Sequence, residues 1–288
     1  MANIKKCDDG EVVLIAGGGK CYTDVAARFC HSNRSLDDIL TSSYDAKLVR
    51  NILDSGHLAA TEFDYFLFGI TGFARVTEIQ LVRKRLASYL ISSGRDDRSG
   101  KRSYDVVMPD NIMNVHTKFA VDPSNIMIDS NLTDPLSHYI SLSQKCPDIA
   151  NSNAYINFGT KDILGLLESW YNEGVENGVP EEDLRYMKPQ ATEFKAIIGF
   201  NCHALLDWFA IRCCNNAQHE IRSLACKMMV LCKEAQPDLF KDAGPNCVRL
   251  GYCPENSRQC EEMKGKVLTK REALEVLNKY KNKELIDA

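Results

Sequence analysis

Three consecutive cations, Arg83-Lys84-Arg85, sit inside an apolar helical pattern and are followed by Ser92-Ser93-Gly94-Arg95. At 100° per residue over 75–90, Val76, Ile79, Val82, Leu86 and Leu90 share one face. Gln80, Arg83, Lys84 and Ala87 fall opposite. A helix that buries the first face must present two cations and an amide together, and it then opens into a loop rich in hydrogen-bond donors. That constellation suits a phosphate or another anion. The competing reading is a solvated basic face on a surface helix.

Any anion site must be local, because the net charge of the 288 residues is −4, which argues against broad nucleic-acid binding. The length suffices for a sizeable core. Neither a signal peptide nor an apolar run long enough to cross a bilayer is legible, so no membrane partner is expected. Twelve cysteines without an export signal suggest reduced thiols in a cytoplasm, or metal ligands.

Residues 11–16 read as a strand ended by Gly17-Gly18-Gly19-Lys20, a turn without phosphate-loop spacing. A helix over 22–31 is expected to bury Val25, Ala26, Phe29 and Cys30. Another over 45–55 would pack Leu48, Ile52 and Leu53, with Gly56 as its C-cap and His57 behind it. Residues 64–71 are aromatic and β-branched enough for a strand. Asp96 and Asp97 fall in a polar loop, where adjacent side chains diverge. The segment 104–155 is punctuated by prolines and reads as short helices and loops. From about 158 the pattern is helical, with Ile163, Leu166, Leu167, Trp170 and Tyr171 as one stripe. Gly178-Val179-Pro180 restarts a short helix that Arg185 ends.

Read as a helix, 192–212 places Asn201, Leu205, Trp208 and Arg212 on one stripe, joined by Asn216. An Arg on such a stripe needs an anionic or carbonyl partner. His203 and Asp207, at i,i+4, are close enough to pair. Helix continues over 222–234, and 262–288 reads as a charged helix. Between them, Cys247, Cys253 and Cys260 could hold zinc or an iron–sulfur cluster with a fourth ligand from elsewhere, or be free thiols.

Several blocks resemble one family, the flavin-dependent thymidylate synthases. The Arg-x-Arg of Arg83 and Arg85, with Ser93-Gly94-Arg95 behind it, is similar to the family signature, with Lys84 in place of its His and Asp96 where a Tyr usually follows. Gly56-His57-x4-Glu62 resembles a second block, with Ala59 in place of a Ser or Thr. Gly178-Val179-Pro180…Arg185…Pro189 resembles a third, with Lys188 in place of Leu. Asn201-x-His203…Trp208-Phe209-x-x-Arg212-Cys213-Cys214-Asn215-Asn216-Ala217-Gln218-x-Glu220-Ile221-Arg222 resembles a fourth, with His203 for an Arg and Asp207 for an Asn or His.

The resemblance implies an α+β fold, a twisted antiparallel sheet flanked by helices, in a homotetramer with active sites at subunit junctions. The chain would be one domain over 1–288, with a less legible middle, 104–155, and a Cys-containing tail, 240–288. It implies FAD as cofactor, with NADPH and methylenetetrahydrofolate as co-substrates, and a dUMP-like pyrimidine nucleotide as substrate. Arg212 would polarise the uracil. Gln80, Arg83, Ser92, Ser93, Gly94, Arg95 and Arg185 would hold the nucleotide. His57, Arg83, Lys84, Arg85, Asn201, His203, Asp207 and Asn216 would line the flavin. The expected reaction is reductive methylation of dUMP to dTMP. A relative modifying C5 of another pyrimidine nucleotide, or a non-catalytic nucleotide-binding paralogue, would keep the same arginines.

Overall fold

The structure, a computed structural model, describes residues 3–93, 104–121 and 154–287. Gly94, Arg95, Asp96 and Asp97 lie outside the described residues. In chain order the elements begin with β1 (Ile4–Lys6), β2 (Glu11–Ala16), α1 (Tyr22–His31), α2 (Leu36–Leu40), α3 (Ala46–Asp54), β3 (Tyr65–Ala74), α4 (Arg75–Leu81) and β4 (Ala87–Ile91). Next come β5 (Val106–Met108), α5 (Asp110–Met113), β6 (His116–Val121), β7 (Ala154–Gly159), α6 (Thr160–Glu176) and α7 (Glu181–Leu184). The chain ends with β8 (Glu193–Asn201), α8 (Cys202–Arg212), α9 (His219–Ala235), α10 (Pro237–Phe240), α11 (Asn246–Leu250), β9 (Tyr252–Cys253), β10 (Leu268–Thr269) and α12 (Lys270–Asp287). Backbone contacts divide them into two compact units, Met1–Lys6 with Gly94–Pro189, and Cys7–Ser93 with Gln190–Ala288.

The larger unit is built on an antiparallel sheet in the order β2-β3-β8-β4. Side chains alternate across a strand, so Phe66, Phe68 and Ile70 of β3 and Phe194, Ala196, Ile198 and Phe200 of β8 all point to one buried face. Register brings Phe66 opposite Phe200 and Phe68 opposite Ile198. Two helices cover that face. α8 contributes Leu205, Trp208 and Phe209, and α9 contributes Ile221, Leu224, Ala225, Met228 and Cys232. Phe240 closes the stack, 5.1 Å from Phe66 and edge-on to it. The architecture is α+β, an antiparallel sheet flanked by helices.

The opposite face of the sheet carries apolar side chains that stand exposed among the described residues. Val13, Ile15, Tyr65, Leu90 and Ile197 are all exposed, Leu90 by 73%. Gly199 sits among them because Tyr65 lies flat over it: a Cβ there would meet the Tyr65 ring within 2.7 Å.

Several expectations change at this level. The 75–90 helix is a helix only to Leu81, and Ala87–Ile91 is strand β4, paired antiparallel with β8. Residues 87, 89 and 91 alternate toward the core, and the ladder to β8 overrides the helical period. The expected apolar stripe is consequently exposed at Val76, Ile79, Val82, Leu86 and Leu90. Residues 192–212 likewise split into strand β8 and helix α8, with Asn201 as the N-cap: its Oδ1 accepts from Ala204 N at 2.7 Å.

α1 spans the expected residues but buries Thr23, Asp24 and Ala27, leaving Phe29 61% exposed and Cys30 exposed. Its inner side is polar because Asp64 accepts from Tyr22 N (2.7 Å), Thr23 N (2.9 Å) and Thr23 Oγ1 (2.5 Å). Asp24 meanwhile pairs with Arg28 at 2.7 Å. α3 buries Val49 and Ile52, with Leu48 and Leu53 half-buried. Gly56 ends it at φ +71, with Gly56 N–H on Leu53 O and His57 N–H on Ile52 O, so the C-cap reading holds.

In the smaller unit, 104–121 is not only helix and loop. β5 pairs with β1 in parallel, and β6 pairs with β7. α6 buries Leu164, Glu168 and Tyr171, whereas Ile163, Leu166 and Trp170 are exposed. Lys188 lies 4.8 Å above the Tyr171 ring and 5.7 Å above the Tyr104 ring, so the cation that replaces a leucine is held by two π faces.

Candidate functional site

The turn that carries the three cations joins α4 to β4. The Tyr89 hydroxyl fastens it, lying 3.0 Å from Leu81 O and 2.7 Å from Lys84 O, with its one proton shared between them. Lys84 N–H also donates to Leu81 O. Arg83 and Arg85 are exposed and Lys84 is half-buried. A turn, rather than a helix face, therefore presents these charges.

Arg212 reaches the same place from the last turn of α8. Its Nη1 donates to Gln80 Oε1 and its Nη2 to Gln80 O, both at 3.4 Å. Burial lowers its pKa first, and the positive charge of Arg83 lowers it further. Two guanidinium groups close enough for one charge to act on the other, beside a fixed amide, are an arrangement chemically suited to a planar anionic or carbonyl-rich ligand.

The element beneath Gln80 is fixed by a buried acid. Glu220, at 0% exposure, accepts from Ala74 N (2.9 Å) and Thr77 Oγ1 (2.5 Å) at the start of α4. Burial raises its pKa against the pull of those two hydrogen bonds. Gln218 caps α9 through Ile221 N at 3.0 Å. Arg222 holds Asn215 by its carbonyl and side chain, each at 3.2 Å. The run 217–222 thus sets the loop behind Arg212 and the helix that brings Gln80.

The remaining expected residues divide. Gln80, Arg83 and Arg212 come together, and so do Lys84 and Asp207, at 3.6 Å. His203 does not pair with Asp207 as the i,i+4 spacing suggests. Its Nδ1 lies 3.1 Å from Glu62 Oε1, while Asp207 is taken by Lys84 and, at 3.5 Å, by Arg249. Competing partners from other elements outweigh a one-turn helical pairing. Asn216 donates to Arg258 O at 2.6 Å, toward the tail. Ser92 extends β4: its Oγ accepts from Lys195 N at 3.0 Å and its carbonyl from Arg75 Nη2 at 2.7 Å. Ser93 and His57 are exposed, and Arg185 closes α7 in the smaller unit.

A cavity of about 650 Å³ opens on the far side of Arg212, lined by Cys214, Cys247, Cys253, Cys260 and Arg258 among others. The three tail cysteines therefore line one cavity, together with Cys213 and Cys214. Among the described residues, no group of three or more His, Cys, Asp or Glu stands in ligating geometry for a metal.

Residues 18–238 match the family model of the thymidylate synthase complementing protein. The chain belongs to that family. It is 31% identical over 239 residues to the flavin-dependent thymidylate synthase of Geobacter sulfurreducens, covering 82% of this chain and 86% of the relative. It is 36% identical over 211 residues to that of Nitratidesulfovibrio vulgaris, covering 73% of each. Among solved structures, a UMP/dUMP methylase of Streptomyces cacaoi with 5-Br dUMP bound shares the fold. Its TM-score is 0.56 at 17% identity, over 83% of this chain and 95% of that one. The family match ends at residue 238, before α11, so Cys247, Cys253, Cys260 and Arg249 lie in a tail beyond the matched span.

Spacing alone did not single out two residues. Glu220 stands within the quoted family block, but only the structure shows it clamping α4. Arg249 has no local sequence signal, because its partner Asp207 is 42 residues away.

Proposed function

We propose that this chain is a flavin-dependent thymidylate synthase. It would convert dUMP to dTMP by reductive methylation at C5, with methylenetetrahydrofolate as carbon donor and NADPH as reductant. The observation that carries the reading is the convergence of Arg212, Gln80 and Arg83. A uracil ring becomes nucleophilic at C5 when negative charge on its carbonyl oxygen and N3 is stabilised. A fixed guanidinium supplies that stabilisation most effectively in a partly water-excluded site. Gln80 orients Arg212 at two points, so little reorganisation is needed as charge develops. Arg83 adds a second positive charge suited to a nucleotide phosphate. No protein nucleophile is required.

FAD, when bound, supplies the hydride chemistry. The residues present fit it: Arg83, Lys84 and Arg85 share one turn, and the acid beside them, Asp207, is already paired. Lys84, Asn201 and His203 are the side chains that would hold it, with Asp207 fixing Lys84 in place and His57, Arg85 and Asn216 at the margins. Ser92, Ser93, Gly94, Arg95 and Arg185 would complete nucleotide binding.

The exposed apolar sheet face supports the homotetramer, and the free cysteines of the described residues suit a reducing cytoplasm. No helix among the described residues is long and apolar enough to cross a membrane. Release of tritium from C5-labelled dUMP, dependent on FAD, NADPH and methylenetetrahydrofolate, is the expected result. A protein that binds dUMP yet releases no tritium under these conditions is not this enzyme.

A further inference from the structure

Asp207 places a negative charge beside the turn that carries the cations. With Lys84 as its sole partner it would cancel that cation, and the flavin side of the site would lose one of the three positive charges of the turn. The structure shows a second cation on the same carboxylate. Lys84 Nζ approaches Oδ2 at 3.6 Å, and Arg249 Nη1 approaches Oδ1 at 3.5 Å. Arg249 is exposed at the surface, yet α11, which carries it, packs against α8, which carries Asp207. The tail is tied down again downstream, where Asn216 donates to Arg258 O at 2.6 Å and Asn215 donates to Glu262.

We propose that Arg249 completes the flavin-binding surface from outside the family core: with Lys84 it brackets Asp207, and the bridged trio keeps one net positive charge for the diphosphate of FAD. The proposal rests on the flavin-dependent reading above. Arg249 acts through Asp207 and is a positioning residue, not a catalytic one. Its chemistry is that of a charge-compensated carboxylate. The acid holds two cations in a fixed arrangement, and the second cation offsets the repulsion the acid would exert on an anionic ligand.

The test is FAD affinity, measured by titrating apo full-length protein and following flavin fluorescence at fixed ionic strength. Arg249→Gln is expected to weaken binding by about tenfold. Arg249→Lys, which keeps the charge, is expected to stay within about threefold of the parent. Adding Asp207→Asn to Arg249→Gln removes the uncompensated acid and is expected to recover most of the affinity. If Arg249→Gln binds FAD within about twofold of the parent, the proposal is wrong. It is equally wrong if the double variant stays as weak as the single one, because the guanidinium would then be holding the tail rather than balancing charge. A parent protein that takes up no FAD at all overturns the flavin-dependent reading itself, a result plainly different from unequal variants of a flavin-binding parent.

Discussion

Arg212 touches Gln80 at two points, and a lysine cannot reproduce that grip. An ammonium is a point charge without a planar fork. Arg212→Lys should therefore fold normally and bind dUMP, yet lose about 100- to 1000-fold in kcat, the scale for removing one preorganised donor to a developing oxyanion. Tritium release and a parallel dUMP binding isotherm would check this; a variant keeping more than about a tenth of the parental rate would contradict it. Glu220 carries a prediction about pH. Its folded pKa is raised above 4.5 by burial, so the folded chain holds that proton more tightly than the unfolded chain does. The associated stability is full below the ordinary carboxylate value and is lost as pH rises through the folded pKa. Glu220→Gln does not titrate. The stability of the parent relative to this variant should decline as pH is raised above about 4.5. Urea denaturation at a series of pH values would show it, and parallel curves would exclude it. At this scale the arginines were legible because their residue types and order carry the family pattern. The partners of Asp207 and His203 were not, since Arg249 and Glu62 arrive from distant segments and leave no local spacing to read.

Elements were legible where local signals and tertiary pairing agree. α1 runs over the residues its pattern indicates, and α3 ends at the glycine expected to end it. Gly56 holds φ +71 with open space where a Cβ would stand, so Gly56→Ala meets only the backbone cost of the left-handed conformation. That cost is about 1 kcal/mol. A urea midpoint unchanged by the substitution would show that the cap contributes nothing. β4 was illegible for the opposite reason. Val76, Ile79, Val82, Leu86 and Leu90 satisfy a helical period, but Tyr89 and Ile91 find the edge of β8, and the hydrogen-bond ladder decides. The consequence is positional, because breaking the helix at Leu81 puts the cations of 83–85 in the turn between α4 and β4. The same helical period in α6 puts Trp170 on one apolar stripe with Tyr171, yet Tyr171 is buried and Trp170 is 63% exposed.

On the scale of the whole molecule, the sheet has one face packed by α8 and α9 and another whose apolar side chains are exposed among the described residues. Val13, Ile15, Tyr65, Leu90 and Ile197 form a flat apolar surface across all four strands. Exposed apolar surface of this kind is characteristic of protein interfaces. If it is where subunits meet in the proposed homotetramer, Leu90 is the informative residue. At 73% exposure it contributes little to the fold of one subunit, so Leu90→Glu should leave thermal unfolding of the separated subunit intact. A glutamate buried against its neighbours would be an unpaired charge in an apolar contact, which destabilises association by several kcal/mol. Light scattering should then show the parent as a tetramer and Leu90→Glu as a smaller species. Because the sites are proposed to lie at subunit junctions, turnover should fall with the assembly and return when high protein concentration restores it. A monomeric parent, or a smaller Leu90→Glu species with full activity per chain, would mean that each subunit carries a complete site and that the bare face serves another purpose.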